Sequence, residues 1–178
     1  MITADDRVII GDPNPDFHFG FNNDFVYKNF TLNVFIQGAY GNELFNAGNI
    51  YIGKGYNRWN NTAEWYANRW TPENPHNDVR YPSTIGNSTI KATEAVIEDG
   101  SYVRLKNVSL RYNVPLKEVE RIRSLTVYFT ATNLLTFTNY SGADPEVNLF
   151  GNSDDAIGVD FFAYPQTTTM TFGVKLGL

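Results

Sequence analysis

A chain of 178 residues with a net charge of −5 is long enough to bury a core, and it carries no clustered basic stripe of the kind that binds nucleic acid. It has no cysteine, which removes disulfides and thiol chemistry. No apolar run approaches the roughly 20 residues of a membrane-crossing helix, and no basic-then-apolar start marks a signal peptide.

The aromatic share is 15%, and good helix formers are confined to short stretches. That composition favours an all-β fold. Residues 1–16 read as a connection ending in the turn chemistry of Gly11-Asp12-Pro13-Asn14-Pro15-Asp16. A first strand follows over 17–27. Its odd positions are Phe17, Phe19, Phe21, Phe25 and Tyr27, broken only by Asn23. A second strand over 30–40 places Phe30, Leu32, Val34 and Ile36 on one parity, with Phe35 as the exception. If Lys28-Asn29 is a two-residue hairpin loop, Tyr27 opposes Phe30 and the two apolar stripes merge on one face. Runs of this length exceed the usual strand and match the 9–11 residues of a tilted transmembrane strand.

Residues 41–100 form a very long connection, in which 62–70 is a short predicted helix stopped by Thr71-Pro72. A third strand over 102–114 puts Val108, Leu110, Tyr112 and Val114 on the apolar parity, together with Arg104 and Lys106 near the long connection. A charged turn over 115–124 leads to a fourth strand over 125–133. A second long connection occupies 137–164. The last strand alternates apolar Met170, Phe172, Val174, Leu176 and Leu178 with Thr171, Gly173, Lys175 and Gly177. The prediction is an all-β, antiparallel meander of about five long strands. Alternation alone leaves two destinations for the greasy face: the core of a soluble sandwich, or lipid around a barrel with a wet lumen.

Candidate site residues fall in the long connections. Trp59, Trp65, Tyr66 and Trp70 cluster in the first. They offer flat faces for stacking on sugar rings, or they are the small core of that connection. Asp144, Glu146, Asp154, Asp155 and Asp160 lie in the second; they are solvated charges, oxygen ligands for a structural calcium, or an acid/base pair as in glycoside hydrolysis. His18 and His76 are far apart, and no phosphate-binding loop or serine elbow is present. On the residues alone the readings are a membrane barrel segment, a soluble β-sandwich carbohydrate-binding module using the Trp/Tyr loop, and a hydrolase using the acidic loop.

Several blocks then act together. Gly11-Asp12-Pro13-Asn14-Pro15-Asp16-Phe17, Arg69-Trp70-Thr71-Pro72-Glu73-Asn74-Pro75, residues 98–108, residues 131–142 with Asp144-Pro145-Glu146, and Tyr164-Pro165-Gln166 stand in order along nearly the whole chain. In these the chain resembles the C-terminal end of the SusC/RagA-like TonB-dependent outer-membrane transporters of the Bacteroides group. The resemblance implies that the chain supplies the last strands of a 22-stranded transmembrane barrel. It implies glycan or peptide uptake driven by the TonB complex through an N-terminal part absent here. It also implies an extracellular lid, the SusD-like surface lipoprotein; Trp59, Trp65, Tyr66 and Trp70 are the candidates for contact with substrate or with that lid. No catalysis and no cofactor is implied. The chain ends in Leu178, where the family usually ends in an aromatic residue. Five strands cannot close a barrel, since even small ones need about 8, so the chain is expected to be a piece of a longer protein, or else to fold with partners or in some non-barrel way.

Overall fold

The computed structural model describes residues 7–52, 61–78, 81, 93–116, 122–149 and 156–178. Its strands are β1 (Phe17–Tyr27), β2 (Phe30–Tyr40), β3 (Glu43–Asn46), β4 (Ile97–Asp99), β5 (Tyr102–Asn113), β6 (Ser124–Thr138), β7 (Val159–Asp160) and β8 (Thr169–Gly177). Two short helices, α1 (Ala47–Ile52) and α2 (Ala63–Asn68), fall in the first long connection. Two compact units result. One is a sheet unit built from Asp16–Tyr40, Ser101–Thr138 and Gln166–Leu178; the other is a connection unit built from Met1–Pro15, Gly41–Gly100 and Asn139–Pro165.

The sheet unit is a five-stranded antiparallel sheet in the order β1-β2-β5-β6-β8. Lys28 takes a φ of +52° in the two-residue turn, and Tyr27 pairs with Phe30 as the loop length requires. Register then carries one apolar row across all five strands: Phe25, Leu32, Leu110, Phe129 and Phe172. The adjoining row is Tyr27, Phe30, Tyr112, Val127 and Val174. Rings pack along these rows, with centroids 4.5 Å apart for Phe30 and Tyr112 and 4.7 Å for Phe129 and Phe172. The stripes of β1 and β8 therefore lie on one face, at opposite edges of a single sheet. They are not pressed together as a sandwich requires. That face is uncovered: Phe21 is 60% exposed, Phe172 80% and Val174 66%.

The other face is a hydrogen-bonded amide and hydroxyl network. Asn33 Nδ2 donates to Asn22 Oδ1 at 2.9 Å and to Asp24 Oδ1 at 3.0 Å, and Asn107 Nδ2 donates to Asn33 Oδ1 at 3.1 Å. Thr130 Oγ1 continues the network to Ser109 Oγ at 3.3 Å. Gly38 is fixed by crowding, because a Cβ there would collide with the Tyr102 carbonyl oxygen and the Phe19 ring.

Two expectations change. Register slips in β5 between Leu105 and Asn107, leaving Lys106 as the extra residue of a bulge. The bulge reverses the alternation, so Val103 and Leu105 join the apolar face and Arg104 turns to the polar one, opposite Gln37 and Thr136. Arg104 is 2% exposed there and donates from Nε to Thr136 Oγ1 at 2.9 Å; it does not lie on the apolar face. The fourth strand also runs on beyond Asn133 to Thr138, so the second connection begins at 139. Asn133 takes a φ of +51°, a conformation asparagine tolerates, and Leu135 and Phe137 continue the apolar row beside Leu105 and Val103.

Candidate functional site

The long connections build their own small fold. In the connection unit β3 pairs antiparallel with β4 and parallel with β7. Among the described residues, the buried apolar side chains of this unit are Leu44, Ala47, Ile50, Trp65, Val96 and Tyr140, and those of the sheet unit are Ala39 and Ala131. Apolar burial is thus concentrated in what the sequence presents as loops.

Asn46 starts α1. Its Oδ1 accepts from Asn49 N at 3.0 Å, an N-cap, and its Nδ2 donates to Glu98 Oε1 at 3.0 Å. Glu98 also accepts from Ser141, through N at 2.8 Å and through Oγ at 2.9 Å. One carboxylate therefore ties β3, β4 and the 139–142 segment together. Beside it, the Tyr140 hydroxyl donates to Asp160 Oδ2 at 2.7 Å, and Asp160 Oδ1 accepts from Ala163 N at 3.0 Å. Burial, first, and then the hydrogen bond and charge of Asp160 and the charge of Glu98 push the Tyr140 hydroxyl far above the ordinary tyrosine range. Gly142 lies under the Tyr140 ring, where no side chain would fit.

A cavity of about 640 Å³ opens in this unit. Its wall includes Glu64, Glu94, Glu98 and Asp160 together with Ile52 and Phe162. Phe162 adopts a φ of +58°, rare for a bulky residue, and its ring packs against Gly48 of α1.

The sequence candidates separate. Thr62 caps α2, its Oγ1 accepting from Trp65 N at 3.1 Å, which confirms a helix within 62–70. Trp65 is 3% exposed and serves as core, whereas Tyr66 is 65% exposed and Trp70 37%. The Arg69 guanidinium lies 4.0 Å from the Tyr66 ring centroid and 5.8 Å from that of Trp65. Trp59, Asp154 and Asp155 lie outside the described residues. Asp144 is 4% exposed, and its Oδ1 accepts from Glu146 N at 2.8 Å, a local turn bond. Among the described residues no three His, Asp or Glu side chains are grouped as ligands for a metal ion. Sequence reasoning missed Glu98, Tyr140 and Phe162, whose roles depend on partners far along the chain.

No protein-family model matches the chain. It is 41% identical to TonB-dependent receptor P3 and 38% identical to TonB-dependent receptor P26, both of Formosa agariphila. These matches cover 98% and 99% of the chain and 18% of each receptor. Among solved structures it resembles the RagAB peptide importer in its closed-closed state, with a TM-score of 0.81 and 25% identity over 99% of this chain and 19% of that one. The open-open state gives a TM-score of 0.77 at 26% identity, over 93% and 17%. The chain thus spans about a fifth of the length of the proteins it matches. The likeness is to transporters that do no covalent chemistry, which sets aside a hydrolase built on Asp144 and Glu146. Over nearly its whole length, this chain is homologous to the RagAB/SusC-like TonB-dependent transporters.

Proposed function

We propose that this chain forms the C-terminal strands of the 22-stranded barrel of a TonB-dependent importer in the outer membrane. Its connections would lie outside the cell and its plug would come from the rest of the polypeptide. The observation that carries the reading is the uncovered apolar face of the sheet. Burying such a face is the largest favourable term available to a sheet, and a water-soluble fold that leaves it open forgoes that term and invites aggregation. Hydrocarbon removes the difficulty.

The dimensions agree. Ten steps along β1 at about 3.4 Å, tilted by about 45°, rise roughly 24 Å, the height of a barrel's apolar band. Aromatic rings mark both ends of that rise: Phe17 stacks on Tyr40 with centroids 5.5 Å apart, and Phe30 lies against Tyr112 at the hairpin end. The amide network of the opposite face suits a wet lumen or a plug. The cargo is a peptide or a glycan, and the partners are the TonB complex and a SusD-like lipoprotein. Tyr66 and Trp70 are the exposed aromatics of α2 and its exit, and they are assigned to contact with that lid or with cargo. Trp65 has no face to offer.

Uptake tests this directly. In cells carrying the complete receptor, entry of a labelled peptide digest or of a labelled oligosaccharide digest should fall to background when the gene is deleted and when a protonophore removes the energy source. Uptake of both digests unchanged by deletion would refute the import role.

A further inference from the structure

We infer that the hairpin end of the polar face docks an acidic segment of the same polypeptide, within the part that fills the barrel. The inference rests on the import reading and adds to it the chemistry of what this face meets. Over most of the face the polar side chains satisfy one another. Asp24 accepts from Asn33 and Asn22, and Asn107 donates to Asn33. Thr130 bonds to Ser109, and Thr126 Oγ1 donates to Asn113 Oδ1 at 2.8 Å.

One corner differs. Register sets Arg111 of β5 opposite Tyr128 of β6, and Tyr128 opposite Gly173 of β8. Lys175 follows on the same parity, opposite Thr126. Tyr128 lies down over Gly173, where a Cβ would collide with its ring and hydroxyl. Arg111 and Lys175 are exposed, and among the described residues neither has a hydrogen bond, an ion pair or a ring contact. The Tyr128 hydroxyl has no partner there either.

These side chains offer donors, two of them charged, to an acceptor that the sheet does not supply. Along the five strands Arg104, Lys106, Arg111 and Lys175 stand against Asp24 as the one carboxylate, so the wall is net positive and its complement is acidic. Position selects the source of that acid. Arg111 and Lys175 lie on the face opposite the Phe172 stripe, and in a barrel that face turns from lipid to lumen. This chain covers 18% of each matched receptor, and a barrel of about 22 strands holds a plug. A plug laid over this corner strips water from both cations, and carboxylates placed opposite them offset that cost. Such pairs also fix the register of plug against wall.

The complete receptor, purified in detergent without cargo or added phospholipid, is treated with a carbodiimide, which joins a lysine amine to a carboxylate in direct contact with it. Mass spectrometry should find Lys175 linked to an Asp or Glu that precedes this chain in the polypeptide. Arg111→Lys keeps the charge and adds an amine, and it should yield a second link to the same segment. Arg111→Gln with Lys175→Gln should speed hydrogen exchange in the linked segment about fivefold at low salt, and less at high salt. No link at Lys175, links only to carboxylates within this chain, or unchanged exchange in the double variant overturns the inference. So does acetylation of Lys175 that is slowed by added cargo digest or anionic phospholipid and not in the receptor alone, which gives the corner to those anions. A receptor that inserts into vesicles yet shows no such link refutes only the docking surface; one that stays monodisperse without detergent refutes the import reading, whatever it links.

Discussion

Phe172→Arg is expected to destabilise the complete receptor in phospholipid vesicles by about 1–3 kcal/mol, the depth-dependent penalty of an arginine on a barrel's lipid face. Phe172 is 80% exposed, lies against Phe129 and sits in the apolar row that crosses all five strands. On a water-exposed surface the same change would fall within about 0.5 kcal/mol of zero, because a solvated arginine is at ease there. The two destinations of this face thus give different magnitudes for one substitution. Thr171→Arg supplies the internal control. Thr171 pairs with Thr130, on the hydrogen-bonded face, so its arginine can reach water in a lumen. Denaturant titration of the vesicle-inserted receptor measures both. A large loss for Phe172→Arg with a small one for Thr171→Arg is the expected pair.

The connection unit makes the second large prediction. Tyr140→Phe should destabilise that unit by about 2–3 kcal/mol at neutral pH, because it leaves the Asp160 carboxylate, 6% exposed, without one of its charge-assisted bonds. The effect should shrink in alkali. Tyrosine ionises near 10 in an unfolded chain, and in the fold Tyr140 holds its proton to far higher pH. A raised value means that its contribution is complete below about pH 10 and is lost as pH climbs above it, since the unfolded chain then gives up a proton that the folded one keeps. Amide hydrogen exchange around Ser141, read against pH for both proteins, should show curves that converge above about pH 10. Parallel curves would mean that Tyr140 does not govern this unit.

Much of the sheet was legible because its alternation is long and regular. The Tyr27–Phe30 pairing followed from a two-residue loop, and the β8 stripe from strict parity. Arg104 was misplaced although the cue was present. Apolar residues occupy odd positions at Val103 and Leu105 and even positions at Val108, Leu110 and Tyr112. A phase change of that kind is what an extra residue in a strand produces, and it brackets Lys106. The end of β6 was missed for a related reason: Asn133 and the double leucine after it disturb the pattern, while the backbone absorbs the disturbance through one positive φ.

The connection unit was far less legible. Its clasp joins Asn46, Glu98 and Ser141, and its buried pair joins Tyr140 and Asp160, contacts that no local period announces. Among the aromatics, helix spacing identified α2 through its Thr62 cap, yet adjacency in sequence could not say that Trp65 turns inward while Tyr66 turns out. That choice is made by packing with residues distant in the chain.

The most direct test of the lipid-facing sheet is collisional access along β8. Single spin labels are placed from Met170 to Leu176 in the complete receptor in bilayers, and their collisions with oxygen and with a water-soluble nickel chelate are compared. Labels at Met170, Phe172, Val174 and Leu176 should meet oxygen and exclude nickel, with the reverse at Thr171 and Lys175; Gly173 is left unlabelled, because a side chain there would collide with the Tyr128 ring. Even positions shielded from both reagents, or open to nickel, would contradict the account.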